Sequence, residues 1–459
     1  MWTFFVLFLL VNRPVAAQNV REPIFKDGDR VCFVGNSITN NGQFYNYINL
    51  YYGTRYPDRR VEFINCGISG DVTQGILNRM ESDILVHKPT WCVLMIGMND
   101  VNRNLYAQSR IQEEGIEQKK QKALDVYFKN LEIIVQKLIQ DGRQLIIQKP
   151  TIYDQTGLQT TENFFGVNDA LKKCADFGQQ LADKYKLPSV DYWTLMTEIN
   201  KSVQEKDSTK TIIGADRVHP GPVGHLLMAY EFLKSTGGAK YVSEIVIDKN
   251  QKKSNTQSSR CQVSDLTVGK HRFQFTVREE SLPFPVDEQA VGALELVPFM
   301  EEFNQQILKV QNIAAGDYQL TIDNTDIGSF SAKELKSGVN LAQMKATPQY
   351  QQAAKVMKLY AEYRKSQSMY RNIVAIEIHH LPDSLKNSDK KIIEDFLNER
   401  LEKQYKTSSH YNYYSNQYKA YLVNKSKEKE IIASLSNLLE EIYQANKPTN
   451  HVFKLQKQL

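Results

Sequence analysis

From Arg30 to about Tyr241 the chain alternates short apolar runs with amphipathic stretches, and this alternation is the strongest constraint on its fold. The runs stand at 31–35, 61–66, 91–96 and 144–148, with a shorter one at 188–190. Between them apolar positions recur at helical spacing, most clearly over 120–140 and 163–185, and Asp141-Gly142 supplies a helix stop before the fourth run. Strands separated by helices cannot pair as hairpins. They pair in parallel, and the crossover helices cover both faces of the sheet. The expectation is an α/β region built from βαβ units around a parallel sheet.

With 459 residues the chain is too long for one ordinary core. The pattern divides it into a signal peptide at 1–17, the α/β region at 18–247, a linker at 248–260, a small β-rich module at 261–345 and a helical C-terminal region at 346–459. The linker reading rests on a polar, aperiodic stretch that begins at Asp248 and ends at Arg260. In the β-rich module, 271–277 alternates with period two, and 294–299, 307–310 and 318–322 are further strand candidates. In the last region 351–374, 388–405 and 427–446 read as amphipathic helices, with a less regular Tyr-rich pattern over 408–421. Their mixed charge suits interaction: they could pack on the α/β region or form a homo-oligomer interface, and the heptad pattern is too short to choose between the two.

The N-terminus is apolar from Trp2 to Val11, too short to span a bilayer, and small residues at Val15 and Ala17 suit cleavage after Ala17. Export to a periplasmic or extracellular location is expected, without stable membrane insertion. A net charge of +5 is small for this length, and no nucleic-acid motif accompanies it. Cys32, Cys66 and Cys92 sit in strand-like runs. With Cys174 and Cys261 they make an odd set that reads as small core residues, and no spacing suggests zinc.

Four short motifs follow one another along the α/β region: Gly35-Asn36-Ser37, Gly67-Ile68-Ser69-Gly70-Asp71, Gly97-Met98-Asn99-Asp100 and Asp216-Arg217-Val218-His219. Each of the first three follows a strand candidate, so Ser37, Gly70 and Asn99 are expected at one sheet edge, where open α/β sheets bind ligands. Ser37 alone could be a helix cap, and Gly70 and Asn99 alone could be turn residues. Taken together they supply a hydroxyl nucleophile, a backbone donor without a side chain in its way, and a side-chain amide donor. Asp216 can reach Nδ1 of His219 across a short loop and leave Nε2 for the Ser37 proton. His225, in the following helix, reads as structural, and His379-His380 receives no role.

These four motifs resemble those of the SGNH (GDSL-type) hydrolase superfamily, over about Arg30 to Lys234. The resemblance implies a flavodoxin-like, three-layer α/β/α sandwich. It also implies catalysis by Ser37, Asp216 and His219, an oxyanion hole formed by Ser37, Gly70 and Asn99, and no metal or other cofactor. One departure is that Asn36 stands where the family usually has Asp before the nucleophile. The expected activity is ester hydrolysis through an acyl-enzyme, with glycan O-deacetylation ranked first. Lipase, arylesterase or thioesterase activity is the alternative within enzymes, and glycan binding by a vestigial domain the alternative outside them.

Overall fold

A computed structural model describes residues 22–249, 257–408 and 410–458. The expected signal peptide lies outside these residues. Five parallel strands form the first sheet in the order β2-β1-β3-β4-β5: β1 Arg30–Gly35, β2 Glu62–Gly67, β3 Trp91–Met95, β4 Gln144–Gln148 and β5 Ser189–Val190. Because successive side chains of a strand point to opposite faces, Val31 and Phe33 enter one core while Cys32 and Val34 enter the other. Helices α1 (Ser37–Asn41) and α2 (Gln43–Arg55) follow β1, and α3 (Thr73–Arg79) follows β2. Then come α4 (Ile116–Ile139), α5 (Val167–Tyr185), α6 (Tyr192–Lys206) and α7 (Pro222–Thr236). α2, α6 and α7 contribute to the Phe33 core, and α3, α4 and α5 to the Cys32 core. This is the three-layer sandwich expected from the sequence. The five cysteines are free and buried.

β1 and β2 share a register that places Gly35 opposite Gly67, and Gly35 also lies opposite Met95 of β3. The chain leaves β1 with neighbours on either side, so this edge is the switch point at which crevices open in doubly wound sheets. Both glycines are fixed by packing. A Cβ on Gly35 would lie 2.3 Å from the Thr39 hydroxyl, and one on Gly67 would lie 2.3 Å from the Asn40 nitrogen. Absence of side chains at these two strand ends lets α1 sit directly on the sheet edge.

The following region differs from the sequence expectation at its boundaries. β6 (Tyr241–Asp248), inside the stretch read as α/β, pairs in parallel with β10 (Gln305–Gln311). β7 (Gln257–Ser259) lies in the stretch read as linker and pairs with β6. With β13 (Val339–Asn340) they form a sheet ordered β13-β10-β6-β7. A second sheet is ordered β12-β11-β14-β9-β8. Its strands are β8 (Cys261–Val268), β9 (Arg272–Glu279), β11 (Asp317–Ile322), β12 (Thr325–Ser331) and β14 (Asn450–Lys457). Ile245 and Leu308 from one sheet meet Phe275, Leu320 and Phe453 from the other in a single core. The module therefore begins before residue 261 and is completed by the end of the chain. Residues 294–299 are not a strand. Ala290, Ala293, Val297 and Met300 are buried at helical spacing, the first two in a 3-10 turn (Glu288–Glu295), Met300 in the short helix α8 (Phe299–Phe303) and Val297 in the bend between them.

A short helix α9 (Ala332–Ser337) precedes the C-terminal helices. These are α10 (Pro348–His379), α11 (Lys390–Tyr405), α12 (Tyr411–Lys425) and α13 (Glu428–Ala445). Thr347 caps α10 by accepting from the Tyr350 N–H. α10 lies against α2, and every residue of α2 except Gln43 is buried, because α2 is enclosed between the sheet and the C-terminal region. The approach is close: a Cβ on Gly53 would lie 2.2 Å from the Tyr360 hydroxyl. No described helix is long and apolar enough to cross a membrane.

Candidate active site

Ser37 is the first residue of α1, and Asn36 caps that helix by accepting from the Ile38 N–H at 3.2 Å. A neutral amide oxygen thus supplies the cap at the position where the resemblance led one to expect a carboxylate. At the first helical position the Ser37 N–H has no partner within the helix and faces outward from its start. The Ser37 hydroxyl lies 2.7 Å from Nε2 of His219, and Nδ1 of His219 lies 2.5 Å from Oδ2 of Asp216. Serine, histidine and aspartate therefore form one hydrogen-bonded chain, and the last two are about half exposed.

Partial burial pushes the Asp216 carboxyl up, but donation from the His219 ring and from the Val218 and His219 N–H groups outweighs this. The carboxyl is held well below the usual carboxylate range. It stays ionised at neutral pH, which fixes the His219 tautomer and leaves Nε2 to accept from Ser37. His225, by contrast, is fully enclosed and stacked on Phe44, with its ring pushed down to about 3 by burial.

Gly70 has φ of +82°, the left-handed region that favours glycine, and a Cβ there would meet nothing within 4 Å. Glycine is therefore required by the backbone conformation and leaves open space above the β2–α3 loop. Asn99 is joined to that loop, its Nδ2 donating to the Asp71 carbonyl at 2.9 Å. Its Oδ1 accepts from Arg103 at 3.1 Å. With the oxygen and one amide hydrogen engaged, the amide orientation is fixed and one hydrogen remains to donate.

Sequence reasoning missed the arginines that hold these loops. Arg217 has φ of 65° and is buried, and its guanidinium donates to the carbonyls of Asp154, Gly157, Gln159 and Thr161. It pins the Asp216–His219 loop to the segment after β4. Arg79 donates to Asp71 at 2.8 Å, to Asp83 at 2.5 Å and to the Gly35 carbonyl at 3.4 Å. It therefore bridges the loop before Ser37 and the loop of Gly70. Arg371, on α10, donates to both oxygens of Asp83 and to the Gly67 carbonyl at 3.1 Å. The spacing of Arg79 and Asp83 could have signalled an ion pair on one helical face. Nothing local could have signalled Arg371, which meets a partner 288 residues away.

The switch point of a parallel sheet, with a serine–histidine–aspartate chain at its edge, defines a hydrolase of the serine type. A model of the GDSL-like lipase/acylhydrolase family matches residues 33–227. Residues 33–227 therefore form an SGNH-type hydrolase domain similar to this family, and the chain is an ester-hydrolysing enzyme. Among curated proteins it is similar to an acetylxylan esterase of Geobacillus stearothermophilus, 25% identical over 232 residues, which cover 46% of this chain and 94% of that protein. Among solved structures it is similar to BT4096, a gut microbial diltiazem-metabolizing enzyme. That likeness has 29% identity and a TM-score of 0.83, and covers 95% of this chain and 99% of that one. It extends over the β module and the C-terminal helices as well as the sandwich.

Proposed function

We propose that the enzyme removes O-acetyl groups from glycans, with Ser37 as nucleophile, His219 as general base and acid, and Asp216 as its orienting carboxylate. The observation that carries the catalytic assignment is the continuous chain from the Ser37 hydroxyl through His219 to Asp216. Ser37 attacks the ester carbonyl while Nε2 of His219 takes its proton. The oxyanion is met by the N–H groups of Ser37 and Gly70 and by the free amide hydrogen of Asn99. His219 then returns the proton to the leaving sugar hydroxyl, and a water deprotonated by the same nitrogen releases acetate. The residues themselves supply every proton transfer in this scheme.

The likeness to an acetylxylan esterase supports glycan acetate as the substrate class. The likeness to BT4096 over nearly the whole chain supports a second reading, hydrolysis of small-molecule drug esters. Export after cleavage near Ala17 belongs with the first reading, since polymeric glycans lie outside the cytoplasm.

Initial rates on acetylated xylan, acetylated pectin, p-nitrophenyl acetate, p-nitrophenyl octanoate and diltiazem separate these readings. Release of acetate from a glycan with kcat/KM above that on p-nitrophenyl acetate is expected. A preference for octanoate or diltiazem over every glycan would replace the first reading. Asn99→Ala is expected to lower kcat by about 10²–10³ with a smaller change in KM, because the donor acts mainly on charge that develops in the transition state. Steady-state kinetics on p-nitrophenyl acetate checks this, and an unchanged kcat would remove Asn99 from the oxyanion hole.

A further inference from the structure

α10 and its neighbours build a second feature beside the Ser37 site. A cleft of about 550 Å³ lies between the sandwich and the C-terminal helices, and Gly70 is part of its lining. Its near wall carries Asn40, Ser69, Gln74 and Asn78. Asn40 is one helical turn beyond Ser37 on α1, so the cleft begins next to the nucleophile. Its far wall carries His379 from α10, Arg400 from α11, and Tyr405, Tyr413, Tyr414 and Gln417 at and beyond the turn into α12.

The chemistry of the lining selects a ligand class. Tyr405 and Tyr414 pack with ring centroids 4.1 Å apart and planes tilted by 33°, and Tyr413 meets Tyr414 edge-on at 5.2 Å with 43% of its surface exposed. Arg400 has no carboxylate within ion-pair distance among the described residues, and its Nε is buried without a partner. The Gln74 amide donates to Asn78 Oδ1, which leaves the Asn78 nitrogen free to donate. Among the described residues the only acid in the lining is Asp71, already neutralised by Arg79. A cation would find no free carboxylate here, and an acyl chain would leave the Asn78 nitrogen and the Arg400 Nε without partners, although Arg400 Nη2 already donates to the His379 carbonyl. A sugar ring presents an apolar C–H face to an aromatic ring and hydroxyls at its rim to amides and a guanidinium, which is the pairing this lining offers.

We propose that this cleft is a saccharide-binding subsite, holding the units of a glycan that lie beyond the acetylated residue at Ser37. The inference rests on the glycan reading above and assigns a task to the C-terminal helices. They read chain length, while the sandwich carries the ester chemistry.

The test compares wild type with Tyr413→Ala and Arg400→Gln on acetylated xylan- and pectin-derived oligosaccharides, from disaccharide to hexasaccharide, and on p-nitrophenyl acetate. For wild type, kcat/KM is expected to rise with chain length. In each variant the ratio of hexasaccharide to p-nitrophenyl acetate kcat/KM is expected to fall by about tenfold, with most of the loss in KM. Activity on oligosaccharides with no length dependence, or with a ratio that neither variant changes, would overturn the subsite and leave the glycan reading standing.

If wild type releases acetate from no glycan while it cleaves p-nitrophenyl acetate, the glycan reading fails instead. Calorimetry with the deacetylated hexasaccharides then decides the cleft by itself. Saturable binding weakened by Tyr413→Ala supports the subsite, and absence of binding by wild type overturns it.

Discussion

Ser37→Ala is expected to lower kcat on an acetate ester by about 10⁴–10⁶ while the protein stays folded. The hydroxyl contributes little to the local structure. The cap of α1 is made by Asn36, and the Ser37 side chain has its hydrogen bond with His219. His219→Ala should cost a similar amount, and the double substitution should be little worse than either alone, because the two side chains act in one step. Asp216 is different. Its Oδ1 accepts from two backbone N–H groups of its own loop, so Asp216→Ala disturbs the loop as well as the histidine. Asp216→Asn keeps an oxygen for that role but offers His219 an amide in place of a carboxylate, and is expected to lose about 10⁴. A fluorophosphonate probe that labels wild type once, at Ser37, and fails to label Ser37→Ala would assign the residual rate correctly. Full activity in Ser37→Ala would remove the nucleophile from the scheme.

The parts of this site that were legible in the sequence are those set by short-range rules. Short apolar runs and helical spacing marked the strands and helices of the sandwich. The motif residues could be placed because each follows its strand within a few residues of a common register, with Gly35 opposite both Gly67 and Met95. What stayed hidden depends on contacts distant in sequence. β14 alternates, with His451, Phe453 and Leu455 buried, yet it follows four helices and completes a sheet begun almost two hundred residues earlier. Isolated from β9 and β11, it offers too short a pattern to override its helical surroundings. Residues 241–247 fall at the end of the stretch assigned to the α/β region, because the partner that decides the sheet of β6, β10, lies past three intervening strands. Arg371 is the clearest case. An arginine in an amphipathic helix normally marks the solvated face, and here it is buried against the carbonyl that ends β2.

That buried arginine gives the second large effect. Asp71, Arg79, Asp83 and Arg371 form a chain of two acids and two guanidiniums, each at most 2% exposed. Burial pushes the Asp83 carboxyl up, but Arg371 and Arg79 hold it down at about 2. The chain is neutral as a whole, so it tolerates burial, and removing one member leaves a charge uncompensated. Arg371→Met is expected to destabilise the fold by about 3–5 kcal/mol, read as a lower denaturant midpoint at unchanged slope. Arg371→Lys should fall between, since one ammonium cannot serve both Asp83 oxygens and the Gly67 carbonyl together.

Adding Asp83→Asn to Arg371→Met should recover part of the loss, because Arg79 and Asp71 then remain as a balanced pair. The acid limb should change as well. A carboxyl whose folded value lies below its ordinary 3.8 stabilises fully above that value and loses the contribution as pH falls toward about 2. In Arg371→Met this dependence should flatten. The functional consequence follows from Asp71, whose carbonyl holds Asn99 and whose neighbour is Gly70. Well below its melting temperature, Arg371→Met should lower kcat on p-nitrophenyl acetate more than it raises KM, while a helix that merely packed on the outside would leave kcat unchanged. The ester chemistry of the sandwich would then depend on a residue that the C-terminal region supplies.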